Sequence, residues 1–179
     1  MKIKFVSLFV VLLTYHLPLI SENCHIISPY EYQKSAFETK KSVFLAGSAA
    51  LPWRENFKNK MQDDHVIFFD PMNSNAELIS RSKTLKWEID HIDKADVIIA
   101  WIPEGEPAST RTWSLTTLFE LGRFVEMKRK PLIVGISPKH YMFAELLNQF
   151  KVLRPDAQVV SSLDEVIDRL RFYLENSRE

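Results

Sequence analysis

Residues 114–124 read SLTTLFELGRF, an apolar and hydroxyl-bearing run that holds one carboxylate, Glu120. An acid set against Leu118, Phe119 and Leu121 either lies on the wet side of a helix or is held in a cleft for chemistry. On a helix over 113–128, Leu115, Leu118, Phe119 and Gly122 fall together and would pack on a sheet, with Gly122 permitting close approach. Ser114, Thr117 and Glu120 then run along one flank, with Thr116 one turn below Glu120. Glu120 would face a cleft about two turns into the helix, yet helical geometry alone favours a solvated glutamate that breaks up an apolar surface. Chemistry would need a second acid. Glycosyl transfer uses one carboxylate to attack or stabilise the anomeric carbon, and another group to handle the proton of the leaving base. Glu88, next to Trp87 and eight residues ahead of Asp96, is the candidate, although taken alone it is more readily a surface charge. Asp96 reads as a helix-to-strand junction residue.

The elements that would position these acids alternate. SVFLAGS (42–48) is a buried strand closed by a tight turn at Gly47, HVIFFDP (65–71) a second strand stopped by Pro71, and DVIIAWIP (96–103) the clearest strand. PLIVGIS (131–137) is a fourth, and AQVV a short edge strand. RENFKNKMQ (54–62) is polar enough for a surface helix. NAELISRSKTLKWEIDHIDKA carries Leu78, Ile79, Leu85, Ile89 and Ile92 mostly at helical spacing. HYMFAELLNQF reads as a helix, and SSLDEVIDRLRFYLENS as an amphipathic one with Ser162 or Ser161 as its N-cap. Strands apolar on both faces, alternating with helices, imply an α/β single domain: a flavodoxin/Rossmann-like parallel sheet of about five strands with helices on both faces. In such sheets ligands sit at the carboxyl ends of the strands, near a switch in strand order. The strand-end candidates are Gly47, Ser48, Trp53 and Asp70, then the loop from Pro103 to Trp113 and the start of the next helix.

Composition narrows the function. The chain's 179 residues, 46% apolar and 26% charged, suit one globular domain. Lys plus Arg and Asp plus Glu both total 23, so a broad basic face for nucleic acid is not expected. With four glycines, neither a Walker loop nor a GxGxxG fingerprint occurs. One cysteine rules out a disulfide within the chain, and the five histidines never fall three to five apart, as a zinc site would want. Residues 1–23 differ from the rest: Lys2 and Lys4, an apolar run from Phe5 to Leu13, Pro18 and a small Ser21. That is the layout of a secretory signal, too short in its apolar part for the roughly 20 residues of a spanning helix. Residues 24–41 read as a linker and 42–179 as the domain. Cleavage would leave no stable membrane insertion and a secreted or periplasmic protein; without a signal it would be cytoplasmic.

VFLAGS with its following Trp53, FFDP, KWEIDHIDKADVIIAWIPE, SLTTLFELG and PLIVGISP together resemble the nucleoside 2-deoxyribosyltransferase family, and its divergent deoxyribosyltransferase-like branch more closely. The similarity runs over roughly residues 42–140, in order and at matching intervals. It implies cleavage of an N-glycosidic bond by double displacement. Glu120, the glutamate of the ELG motif, would attack C1′ of a 2′-deoxynucleoside, and Glu88 would contact substrate and relay a proton to the base. Gly47, Ser48, Trp53, Asp70, Ser114 and Thr117 would line the substrate site. The resemblance further implies a small nucleoside or nucleotide as partner, no metal or organic cofactor, and assembly of the kind that makes a homo-oligomer. Two positions depart from it: Phe44 stands where the family has a tyrosine that orients the nucleophile, and Ser114 where it has a sugar-binding aspartate. Three readings therefore stand side by side: a transferase or hydrolase, a non-catalytic nucleotide-sensing domain on the same scaffold, and a secreted interaction domain with a vestigial cleft.

Overall fold

Apolar runs without alternation can satisfy both faces of a strand only between two layers of helix, and that is where they lie. The computed structural model describes residues 24–27, 40–47, 52–62, 64–72, 81–104 and 115–177. The signal-like segment, Ser48, Ser114 and most of the 103–113 loop lie outside them. The strands are β1 (Cys24–Ile27), β2 (Lys41–Gly47), β3 (Val66–Phe69), β4 (Val97–Ile102), β5 (Leu132–Ile136) and β6 (Gln158–Val160). The helices are α1 (Trp53–Lys60), α2 (Arg81–Lys94), α3 (Leu115–Glu126), α4 (Phe143–Leu153) and α5 (Leu163–Asn176). Every strand pairing is parallel, in the order β1-β3-β2-β4-β5-β6. The fold is α/β and flavodoxin/Rossmann-like, with a sixth strand: β1 falls inside the segment read as linker and pairs Cys24 with Val66 through Ile27 with Phe69.

Side-chain alternation divides the core in two. Phe44, Ala46, Ile98, Ala100, Ile102, Val134 and Ile136 face α2, α3 and α4 through Ile92, Leu121, Phe124, Leu146 and Phe150. Val43, Leu45, Val97, Ile99 and Ile133 face α1 and α5 through Trp53, Phe57, Val166 and Leu170. Each fully buried large side chain contributes about 2 kcal/mol of transfer free energy. The junctions are tied by polar groups. Asp96 Oδ2 accepts from the backbone N–H and hydroxyl of Ser42, both at 2.8 Å, which fixes the start of β4 to the start of β2, the junction role expected of it. Ser162 caps α5 in a capping box with Glu165.

Three helix faces differ from expectation. On α3, Phe119 is 80% exposed, Gly122 is exposed with open space where a Cβ would stand, and Leu121 and Phe124 are buried instead. The helix is turned so that Glu120 lies beside the inward stripe. On α2, Leu85 and Ile89 are exposed, and Trp87 with Ile92 meets the core. The supposed surface helix α1 buries Trp53, Arg54 and Phe57.

Candidate functional site

The order β3-β2-β4 means that the chain leaves β2 in one direction and returns on its other side, which opens a crevice at the carboxyl ends of β2 and β4. Gly47 closes β2 there with φ of 132°, a region that favours glycine, and a Cβ would stand 2.4 Å from the carbonyl oxygen of Trp101 on β4. The backbones at the crevice mouth can approach this closely only with glycine. Both α2 and α3 lie against β2, so the helices that carry Glu88 and Glu120 are brought to the same strand.

Glu120 is half-buried in the second turn of α3. Burial pushes its carboxyl up to about 7, the Glu88 charge adds to the rise, and Arg54 and Arg123 pull against it. The structure thus brings the two acids picked out in the sequence within electrostatic reach of one another. Thr117 is one turn before Glu120 on α3. A like-charged pair of which one member is kept partly protonated near neutrality is suited to nucleophilic or acid–base work on a substrate.

Arg54 is the site residue that sequence reasoning missed. It is 5% exposed on α1, yet its guanidinium reaches the end of β2 and donates from Nη2 to the carbonyl of Gly47 at 2.8 Å and of Leu45 at 3.3 Å. The charges of Asp70, Glu120 and Glu88 all act on it, opposing the burial that lowers its pKa. The only signal in the sequence was a cation beside Trp53, just past the end of a strand.

Two strand-end candidates face inward. Asp70 is 2% exposed; Oδ1 accepts from the Met72 backbone at 3.0 Å and lies 3.4 Å from Arg54 Nε, and Oδ2 lies 2.8 Å from Lys58 Nζ. Trp53 is buried with Phe57 set edge-on, and the Arg54 guanidinium is 4.5 Å from its ring centroid. Neither presents an open surface to a base. Phe44 is buried against Trp87, with centroids 6.5 Å apart, and Trp87 in turn stacks on His91 at 4.0 Å. Among the described residues no group of three or more His, Cys, Asp or Glu could hold a metal ion, and no helix is long and apolar enough to cross a membrane.

Among solved structures, the chain is similar to the CMP N-glycosidase BcmB of Clostridium botulinum at 24% identity and a TM-score of 0.49, covering 75% of this chain and 100% of that one. No curated protein matches it. Residues 40–139, which hold the crevice, both acids and Arg54, match the family described as nucleoside 2-deoxyribosyltransferase like. That span is more than half of the chain, and the chain belongs to the nucleoside 2-deoxyribosyltransferase-like family, named for chemistry at the N-glycosidic bond of nucleosides.

Proposed function

We propose that the protein cleaves or exchanges the N-glycosidic bond of nucleosides, 2′-deoxynucleosides foremost, through a covalent glycosyl ester on Glu120. In the first step a carboxylate oxygen of Glu120 forms a bond to C1′ as the C1′–N bond breaks. The electron pair leaves with the base, and the base takes up a proton relayed by Glu88. In the second, the nitrogen of another base or a water oxygen gives its proton to Glu88 and attacks C1′, and the bond from C1′ to Glu120 breaks to release the carboxylate and restore the original configuration. What supports this reading is the placing of Glu120: it is half-buried in the second turn of α3, a helix that lies against β2 as α2 does, and burial with the Glu88 charge pushes its carboxyl up to about 7. A carboxylate raised in this way by burial is less stabilised by solvent, which suits a nucleophile.

Incubation with 2′-deoxyinosine and free adenine tests it. Deoxyadenosine that forms with the wild type and is lost in Glu120→Ala supports a transferase, and hypoxanthine release alone supports a hydrolase. Absence of turnover across nucleosides and nucleoside monophosphates, with binding retained, would shift the reading to a nucleotide-sensing domain. Phe44 favours that second reading: a core phenylalanine has no hydroxyl to orient Glu120, where the resembled family uses tyrosine.

A further inference from the structure

Arg54 crosses between the two layers of the fold. Its helix, α1, packs on the face of the sheet opposite α2 and α3. Its guanidinium nonetheless lies at the carboxyl edge of β2, where the charges of both Glu88 and Glu120 act on it. Three kinds of contact fix it there. Nη2 spans the carbonyls of Leu45 and Gly47. Nε also donates to the Leu45 carbonyl at 3.4 Å and stands 3.4 Å from Asp70 Oδ1. The plane lies over the Trp53 ring. Asp70 is itself held by Met72 N–H and by Lys58, which reaches Glu55 at 3.0 Å. A buried cation tethered to carbonyls and a carboxylate is held in place at the end of β2. Its charge acts on both glutamates from that place.

We propose that Arg54 is the positioning residue of the acid pair: held by the end of β2 and by Asp70, it supplies the counter-charge that lets Glu88 and Glu120 share one crevice. The proposal rests on the reading of those glutamates as the reactive pair, and it gives Asp70 and Trp53 the role of holding Arg54. A guanidinium suits this place because its planar fork serves two carbonyls and a carboxylate at once and never loses its charge. Among the described residues, the charges that act on Glu120 are Glu88 from α2, Arg54 from α1 and Arg123 from its own helix. Arg123 is engaged with Asp93 at 2.9 Å and is much less buried, so solvent screens it more.

Carboxyl carbon-13 NMR of the full chain reads the Glu120 titration without reference to turnover, with Glu120→Gln to assign the resonance. In the wild type the midpoint is expected at about 7. Arg54→Met should raise it by about one unit, whereas Lys58→Met, which removes a cation that meets Asp70 and Glu55, should leave it in place. A folded Arg54→Met protein with an unmoved midpoint overturns the proposal, as does an equal shift in Lys58→Met. If Arg54→Met does not fold, the wild-type Arg54 Nε resonance decides: an inflection at the Glu120 midpoint supports the charge coupling, and a flat response removes it. Turnover measured on the same samples keeps the two claims apart. An active enzyme whose Glu120 ignores Arg54 loses this inference only, and an inactive protein with the full coupling loses the proposed reaction only.

Discussion

A carboxyl group poised near neutrality can serve as nucleophile or as acid, and the pH dependence of the rate separates the roles. As nucleophile, Glu120 must be ionised, so kcat/KM should rise with pH through about 7; a fall through the same region would assign it as the acid. Glu88 raises the Glu120 pKa, so Glu88→Gln should move that rise to lower pH while it slows release of poorly leaving bases, which a rate profile on two substrates resolves. Stability carries the same charge with the opposite sense. Because the folded value lies above the ordinary 4.5, the folded state binds more protons than the unfolded one between pH 4.5 and about 7. Stability from this group is fully present below pH 4.5 and is lost as pH rises through 7. Glu120→Gln should therefore match the wild type near pH 4 and exceed it at pH 8 by about 3 kcal/mol, read from urea unfolding at the two pH values. Glu120 stood out in the sequence as an acid in an apolar run, but helical geometry alone favoured a solvated side chain, and the resemblance of its ELG motif made it the candidate. Arg54 was not, since a cation in a polar helix announces nothing until the end of β2 is folded beneath it. Asp70 directly follows β3 and Trp53 opens α1, but the inward direction of both, beside Arg54, could not be read from the sequence.

At the scale of elements, the crevice depends on how strands end and helices are tied. Gly47→Ala would put a Cβ against the Trp101 carbonyl at a φ that alanine rarely adopts, and should cost about 2 kcal/mol or more in urea unfolding. Arg154, 1% exposed, donates to the carbonyl of Phe124 in the last turn of α3 and to those of Met127 and Lys130 just beyond it, and pairs with Asp156. Arg154→Met leaves those oxygens without it and should lower stability by about 3 kcal/mol. If α3 then shifts, the Glu120 midpoint will move with it. The parallel strands and five helices were readable because their apolar runs and turn residues leave few alternatives. The inward face of α3 was not: Leu115, Leu118, Phe119, Leu121, Phe124 and Val125 circle the helix, so periodicity alone could not choose among them. Strand β1 was missed for a simpler reason. CHII has only two strongly apolar residues, and its place is set by β3 beside it.

For the whole molecule, the proposed function rests on layer order. The switch point puts a crevice over β2 and β4, two helices on one face bring acids to it, and a helix on the other brings a cation. The signal-like residues 1–23 remain a proposal: removed as a secretory leader, they would leave β1, which begins at Cys24, in the mature sheet. N-terminal sequencing of exported protein should then begin at or just before Cys24, and recovery of Met1 on exported protein would contradict it. The central claim is the covalent bond to Glu120. The most direct measurement is the intact mass of the protein, quenched in acid during turnover of 2′-deoxyinosine without acceptor base, followed by peptide mapping. One added deoxyribosyl group on the peptide holding Glu120, absent from Glu120→Gln and discharged by adenine, is the expected result. Turnover with no such adduct under conditions that trap it, or an adduct on another residue, would contradict it.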